Sequence, residues 1–215
     1  MVKLKGRKIP LGDGVRRSLR VRLYPLGKRC LDFVLAAFLL LAATPMFFFV
    51  AFGIRVTSCG PVLFRQVRVG RRLEPFLLYK FRTMSCRAPH DVATADMPAR
   101  YITRFGRFLR KTSLDELPQL INVLRGDMSL LGPRPVVLSE VELIASRAAR
   151  GVYTVRPGIS GLAQISGRDL LSPEEKARLD SEYVQQMSFL RDVRLFLSTC
   201  LAVFSRRDIR EGNIS

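Results

Sequence analysis

The sequence predicts an α+β, mainly helical protein made of an apolar N-terminal segment, a small β-hairpin and amphipathic helices. Three patterns predict this fold. Residues 33–54 form an uncharged run of 22 residues, residues 61–83 alternate apolar and polar side chains around a turn, and 101–111 and 173–204 carry apolar residues at helical spacing. With 48% hydrophobic residues among 215, the chain can bury one core beside a membrane anchor.

The charge balance indicates an anionic partner. Lys and Arg number 36 against 18 acids, a formal net charge of +18. Nucleic acid, anionic membrane lipids and phosphorylated substrates all fit such a surplus. There is no Trp and no base-reading motif, so we expect no nucleic acid as partner. Scattered cysteines and a single histidine argue against zinc, a disulfide framework and His-based nucleophilic chemistry: Cys30, Cys59, Cys86, Cys200 and His90.

The apolar run 33–54 is long enough for a membrane. At ~1.5 Å per residue, a helix of this length reaches across a hydrocarbon core of ~30 Å. The step Thr44-Pro45 predicts a kink in the middle. Residues 1–29 carry ten basic residues and one acid, and 55–87 carry eight and one, which places both flanks in the cytoplasm. A helix that dips in and returns satisfies both flanks; a kinked span is the open alternative.

Residues 61–83 predict a β-hairpin that turns at 70–75, and residues 85–100 a polar loop. The next stretch, 101–111, is typical of a basic amphipathic helix lying in a lipid interface. Its apolar residues share one face, with arginines on the others: Ile102, Phe105, Phe108 and Leu109. A helix packed on the core with a solvated basic face is the alternative.

A helix start is predicted at Ser172, where Pro173 takes the first position and Glu175 completes a capping box. A further helix, either separate or continuous with it, carries apolar residues at spacings of three and four: Tyr183, Met187, Leu190, Val193, Leu197, Cys200, Leu201 and Phe204. We expect it to pack on the anchor or to lie against the bilayer.

Two acids, Asp115 and Glu116, form the first candidate site. Either Ser113 or Asp115 can cap a following helix, with Pro118 in or near its first turn, and both acids then lie at a helix N-terminus. Adjacent helical residues point ~100° apart, so the two acids suit different roles. Plain helix capping is the alternative interpretation.

Two further segments suit phosphate binding. In the segment 132–135 (Gly-Pro-Arg-Pro), two prolines restrict Arg134, which favours a bidentate phosphate clamp; a stiff connector is the alternative. In the segment 156–168, three glycines between Arg156 and Arg168 let backbone N–H groups approach an anion. Neither the P-loop nor the dinucleotide-binding pattern is present there.

The motifs follow one another along the chain. They are Lys28-Arg29-x-x-Asp32, Gly60-Pro61-x-x-Phe64-x-Gln66-x-Arg68-x-Gly70, Phe76-x-x-x-Lys80-Phe81-Arg82-Thr83-Met84, Thr103-Arg104-x-Gly106, Arg110-Lys111-x-Ser113-Leu114-Asp115-Glu116-Leu117-Pro118-Gln119, Asn122-Val123-Leu124-x-Gly126-x-Met128-Ser129-Leu130-x-Gly132-Pro133-Arg134-Pro135, Arg156-Pro157-Gly158-Ile159-x-Gly161 and Gln164-x-x-Gly167-Arg168. Over residues 28–204 this series resembles the bacterial sugar transferase family, the monotopic polyprenyl-phosphate phosphoglycosyl transferases.

The resemblance implies a domain organisation. A basic N-terminal segment (1–27) precedes a re-entrant membrane helix kinked at Thr44-Pro45 (28–55), a catalytic domain (56–204) and a basic tail (205–215). It also implies a monotopic protein at the cytoplasmic face of the bacterial inner membrane, with interfacial amphipathic helices and contacts to anionic lipids. A homodimer is left open.

The resemblance further implies an enzyme that moves a sugar 1-phosphate from a UDP-sugar to undecaprenyl phosphate and releases UMP. Asp115 matches the nucleophile that forms a phosphosugar-aspartyl intermediate, and Glu116 its partner base toward the lipid phosphate. Mg²⁺ is expected beside Asp115. The positions expected to bind phosphates or nucleotide are Lys80, Arg82, Arg110, Arg134, Arg156 and Arg168.

Two segments depart from the family pattern. Arg71-Arg72-Leu73-Glu74 replaces a glycine-bearing turn, and Gly151-Val152-Tyr153-Thr154 stands where a His is common, which leaves any role for that His in doubt. The alternatives to the enzyme are an inactive basic scaffold and a nucleic-acid-binding membrane protein. The donor sugar and the downstream glycan are not readable from the residues.

Overall fold

The computed structural model describes residues 2–4, 7–9, 19–86, 88, 99–167 and 170–204. The predicted mainly helical α+β fold is confirmed. Its elements are β1 (Val2–Leu4), β2 (Arg7–Ile9), α1 (Leu19–Ala42), α2 (Thr44–Thr57), β3 (Leu63–Val69), β4 (Pro75–Phe81), α3 (Arg104–Lys111), α4 (Gln119–Arg125), β5 (Ser129–Leu131), α5 (Val141–Ala149), β6 (Gly158–Ser160), α6 (Leu162–Ile165), α7 (Pro173–Gln185) and α8 (Phe189–Phe204). Most of the predicted loop 85–100 and the tail 205–215 lie outside the described residues.

The apolar run folds as two helices, and the predicted kink is confirmed. Leu26–Ala42 and Thr44–Thr57 are bent by 59°; together they are long and apolar enough to cross a membrane, and no single described helix is. Pro45 lies in the first turn of α2, where its missing N–H costs no helical hydrogen bond. Several large apolar side chains of the pair are exposed: Phe33, Val34, Phe38, Leu41, Phe48, Phe49, Phe52 and Val56.

The predicted β-hairpin is confirmed. Strands β3 and β4 pair antiparallel from Leu63↔Phe81 to Val69↔Pro75, joined by a short 3₁₀ turn. Phe81 packs with residues of α2 and α3, whereas Leu78 packs with residues of α1 and α4. The hairpin therefore packs on both helices of the kinked pair as well as on α3 and α4.

Helix α3 packs on the protein and leaves part of its apolar face exposed. Leu109 is fully buried, and Phe105 contacts Phe49 of α2 edge-on, so this helix packs on the kinked pair and on the core. Phe108 on the same side is 46% exposed. The amphipathic helix is confirmed, and its apolar face is only partly covered by the protein.

The C-terminal region forms two helices, and the continuous alternative is wrong. The capping box at Ser172 and Glu175 is present as predicted at the start of α7. The side chain of Asp192 accepts hydrogen bonds from Tyr24 (2.6 Å) and Tyr183 (2.8 Å), which draws one face of α8 inward. The predicted apolar stripe is therefore divided. Tyr183 is on α7 and is buried, and Met187 lies between the two helices, whereas Leu190, Val193, Leu197 and Leu201 on α8 are exposed.

Candidate active site

Asp115 lies on a single 3₁₀ turn, Leu114–Glu116, between α3 and α4. Ser113 adopts a left-handed conformation (φ 56°) and its side chain caps nothing, while α4 begins only at Gln119 after Pro118. The expectation that Ser113 or Asp115 caps a helix is therefore wrong. The sharp turn at Ser113 instead buries Asp115, which is 8% exposed.

A cavity of about 730 Å³ opens beside Asp115. Part of its lining is apolar and comes from the residues before and at the start of β3, from Pro61 to Phe64, and from Phe81 and Met84. The lining also contains cationic side chains, from β3, from β4 and the residue after it, and from α3: Arg65, Arg68, Lys80, Arg82 and Arg110. A cavity of this volume suits a ligand of nucleotide size, and the cations favour phosphate groups.

Glu116 organises two cations next to this cavity. Its Oε1 accepts hydrogen bonds from Lys80 Nζ at 3.0 Å and from Arg134 Nη2 at 2.8 Å. The neighbouring acids thus have different surroundings, since Asp115 lines the cavity and Glu116 is engaged with Lys80 and Arg134. Arg134, in the segment 132–135, contacts Glu116 but is not among the residues that line the cavity.

Burial and the nearby cations act in opposite directions on the pKa of Asp115. Burial raises the pKa of its carboxyl; Lys80 opposes that shift, Glu116 adds to it, and Arg110 and Arg134 oppose it. Burial also lowers the pKa of the Lys80 ammonium, which the charge of Glu116 partly offsets. The cations therefore help to keep a buried carboxylate ionised, as a nucleophilic role would require.

Arg82 links the cavity to the end of α2. Its Nη2 donates to the carbonyl oxygen (2.9 Å) and the hydroxyl (2.8 Å) of Ser58, and its Nη1 lies 3.2 Å from Cys86 Sγ. On α3, Arg110 Nε donates to Thr83 Oγ1 at 3.0 Å. Both arginines are thus held at the cavity wall by neighbouring side chains or backbone.

Sequence reasoning missed Gln66 and Arg68 as cavity residues. The two are buried on β3, and Arg68 Nη2 donates to Gln66 Oε1 at 2.6 Å. Burial, with Arg134 nearby, lowers the pKa of Arg68 to about 10. Their spacing of two on a strand places them on one face, a signal that was available in the sequence.

Arg156 does not join this group in the structure. Arg156 Nε donates to the carbonyl oxygen of Gly126 at 2.7 Å, while Arg29 binds the carbonyl oxygens of Val123 (2.6 Å) and Leu124 (3.1 Å). These two arginines thus neutralise the C-terminal carbonyl groups of α4. Arg168 lies outside the described residues.

The glycines expected to approach an anion instead let two backbone segments touch. A Cβ built on Gly158 would lie 2.1 Å from the Gly132 nitrogen, and one on Gly161 would lie 2.2 Å from the Gly132 oxygen. The N–H group of Gly158 is engaged, since it donates to the Pro133 carbonyl at 2.9 Å. For Gly158 the anion-cradle interpretation is wrong, because its N–H group is engaged and the chain passes close to Gly132 beside the paired strands β5 and β6.

We expect Gly158→Ala to destabilise the protein severely. The added methyl group meets backbone atoms of Gly132, which cannot rotate away, so the cost should be about 3 kcal/mol of unfolding free energy. Thermal unfolding in detergent measures it. Gly27→Ala is the control, because a Cβ there meets nothing within 4 Å in helix α1. Equal melting temperatures for the two variants would contradict the close approach.

The residues fit a magnesium ion only if the substrate helps to hold it. No group of three or more His, Cys, Asp or Glu side chains within the described ranges could hold a metal ion. Mg²⁺ is often held by one or two carboxylates together with substrate phosphates. Asp115, the carboxylate at the cavity, can supply one such ligand.

The chain is similar to a described protein family and to several named bacterial proteins. Residues 23–206 match the profile of the family described as bacterial sugar transferase. The chain is 41% identical over 186 residues to a Bacillus subtilis (strain 168) protein named an uncharacterized sugar transferase, EpsL, and covers 91% of it. It is 44% identical over 184 residues to a UDP-glucose:undecaprenyl-phosphate glucose-1-phosphate transferase of Caulobacter vibrioides, covering 68% of that protein. A protein of the same name from Escherichia coli K12 is 40% identical over 210 residues, of which 43% is covered. These alignments cover 86%, 81% and 91% of the present chain, respectively.

Proposed function

The chain belongs to the bacterial sugar transferase family, and from this we propose that it transfers a sugar 1-phosphate from a UDP-sugar to undecaprenyl phosphate, releasing UMP. One observation carries the proposal: a buried carboxylate, Asp115, lines a cavity that several cationic side chains also line. A carboxylate that attacks an anionic diphosphate needs such cations, because they offset the repulsion between the two.

The geometry supports a reaction in two steps. In the first, a carboxylate oxygen of Asp115 forms a bond to the β-phosphorus while the bond from that phosphorus to UMP breaks. In the second, an oxygen of undecaprenyl phosphate attacks the same phosphorus and displaces Asp115. Glu116 accepts the proton that the lipid phosphate still carries, and the new product is a lipid diphosphate sugar.

Lys80, Arg110 and Arg134 serve both steps through their charge. The charge of each opposes the rise in the pKa of Asp115 that burial causes, and in the proposed reaction the same charges offset the charge that develops on the phosphoryl oxygens. Mg²⁺, held by Asp115 and the diphosphate, would offset charge on the departing UMP. Arg82 lines the cavity and donates to Ser58 at the end of α2, so it connects the kinked helix pair to the site.

UMP release tests this function. We propose UDP-glucose as the first donor to try and UDP-galactose as the second, since relatives are named for glucose 1-phosphate and galactose transfer. Detergent-extracted protein with Mg²⁺ and undecaprenyl phosphate should release UMP with one donor and form a lipid-linked sugar. UMP release independent of the lipid would indicate a hydrolase. No release with any UDP-sugar would favour the alternative that the protein is an inactive basic scaffold.

We further propose that the kinked pair enters the membrane and returns to the cytoplasmic face. The support is the 59° bend, the basic residues on both flanks and the exposed apolar side chains of α1 and α2. Exposed apolar residues on α8, such as Leu197 and Leu201, and Phe108 on α3 suit contact with the same lipid surface.

Native cysteines provide the topology test. Cys30 precedes the apolar run, Cys59 follows it, and both are exposed. In single-cysteine variants, a membrane-impermeant maleimide should label both positions in inverted vesicles and neither in sealed right-side-out vesicles. Cys86 in the catalytic domain is the control for the cytoplasmic side. Labelling of the two positions from opposite sides would show a span and end the re-entrant proposal.

A further inference from the structure

The segment that carries Arg134 is held in place by its carbonyl groups. Proline has no N–H, so Pro133 and Pro135 cannot donate backbone hydrogen bonds. Each carbonyl oxygen of residues 133–135 instead accepts a hydrogen bond from a different element: from Gly158 N on β6 (2.9 Å), Arg147 Nη1 on α5 (2.8 Å) and Arg68 Nη1 on β3 (3.3 Å), in that order. The position of Arg134 therefore depends on these three donors.

The donor to the Arg134 carbonyl is itself fixed by a buried ion pair. Arg147 Nη2 lies 2.5 Å from Asp180 Oδ2, and the two side chains are only 3% and 1% exposed. Asp180 is on α7, so the pair joins α5 to α7. With one nitrogen on Asp180 and another on the carbonyl, the planar guanidinium has a single orientation.

We propose that Arg147, oriented by Asp180, is a positioning residue: it fixes the backbone at Arg134 and thereby the contact of the Arg134 guanidinium with Glu116. The inference rests on the proposed transferase function. A chain of contacts runs from Asp180 through Arg147 to Arg134, and from there to Glu116 and Lys80. Neither Arg147 nor Asp180 lines the cavity beside Asp115, and the contact that links them to Glu116 is the hydrogen bond from Arg147 to the Arg134 carbonyl.

Stability alone does not account for this pair. Taking two charges out of water is costly, and a buried ion pair is often replaced by apolar residues of similar volume without loss of stability. Burial raises the pKa of the Asp180 carboxyl, against the charge of Arg147, which shows this cost. The double variant Arg147→Met/Asp180→Leu removes both charges together and so separates folding from positioning.

The double variant should melt within a few degrees of wild type but turn over more slowly. Displacing a group that acts on the reacting phosphate by about 1 Å can lower the rate roughly 10- to 100-fold, and we expect a fall in kcat of that size. Ser172→Ala is the matched control: it weakens the cap of α7, the helix of Asp180, and should lower the melting temperature while leaving kcat unchanged.

A mutant cycle with Arg134→Ala tests whether the effect of Arg147 on kcat passes through Arg134. If Arg147 acts through Arg134, the double variant should cause no further loss of kcat once Arg134 is alanine. The inference would be overturned if the losses of kcat caused by Arg134→Ala and by the double variant multiplied, or if the double variant were as active as wild type. Either result would leave the transferase function intact. A wild-type protein that releases no UMP would overturn the proposed function and this inference with it.

Discussion

Asp115→Asn is expected to abolish lipid-dependent UMP release, with a loss of at least roughly a thousandfold in kcat. An amide has nearly the shape of the carboxylate but cannot form the acyl phosphate bond. It also removes a buried negative charge from the cavity wall, so binding of the anionic donor should not weaken. Steady-state UMP release with undecaprenyl phosphate present and absent measures the effect.

Two further measurements test whether the loss of activity is specific to Asp115. Asp127→Asn is the control, because Asp127 accepts a hydrogen bond from the Asn122 side chain, a role that an amide oxygen can retain. Intact-protein mass spectrometry of wild type incubated with donor alone should show an added sugar phosphate, which Asp115→Asn should lack. Turnover of Asp115→Asn near the wild-type rate, or an adduct on another residue, would rule out Asp115 as the nucleophile.

Local patterns predicted the parts of the fold that local interactions determine. The capping box at Ser172, the kink before Pro45 and the hairpin 61–83 each depend on residues a few positions apart, and all are present. The pattern Ser113-x-x-Glu116 has the same form as the one at Ser172, yet it caps nothing. There the end of α3 turns through a left-handed residue, and tertiary packing decides the conformation.

Contacts between distant segments were beyond sequence reasoning. A glycine-rich stretch predicts backbone freedom, but whether an anion or another backbone approaches it depends on where the chain returns; here Gly132 fills the space beside Gly158. Likewise, nothing near Arg147 in the sequence indicates Asp180. The family resemblance did identify Asp115, Lys80, Arg82 and Arg110, which lie together on one cavity. It gave no sign that Arg156 binds the end of α4 instead.

Lys80→Met should slow the enzyme roughly 100-fold at neutral pH, and the loss should shrink as the pH rises. Lys80 lowers the pKa of Asp115, which burial alone raises, so its removal moves that pKa further upward. The nucleophile is the ionised form, so a smaller fraction of the protein is reactive at neutral pH. Raising the pH ionises Asp115 again, and the acid limb of the profile of kcat/KM against pH should shift to higher pH.

A control for Lys80→Met has to keep the positive charge that pairs with Glu116. Lys80→Arg retains the cation beside Glu116 and should keep the acid limb near its wild-type position, even if the larger side chain slows turnover. Arg125→Met removes an exposed cation that binds the Tyr79 hydroxyl, and its profile should match wild type. Suppose instead that Lys80→Met lowered the rate equally at every pH. Lys80 would then act on the phosphates alone, and the ionisation of Asp115 would not depend on it.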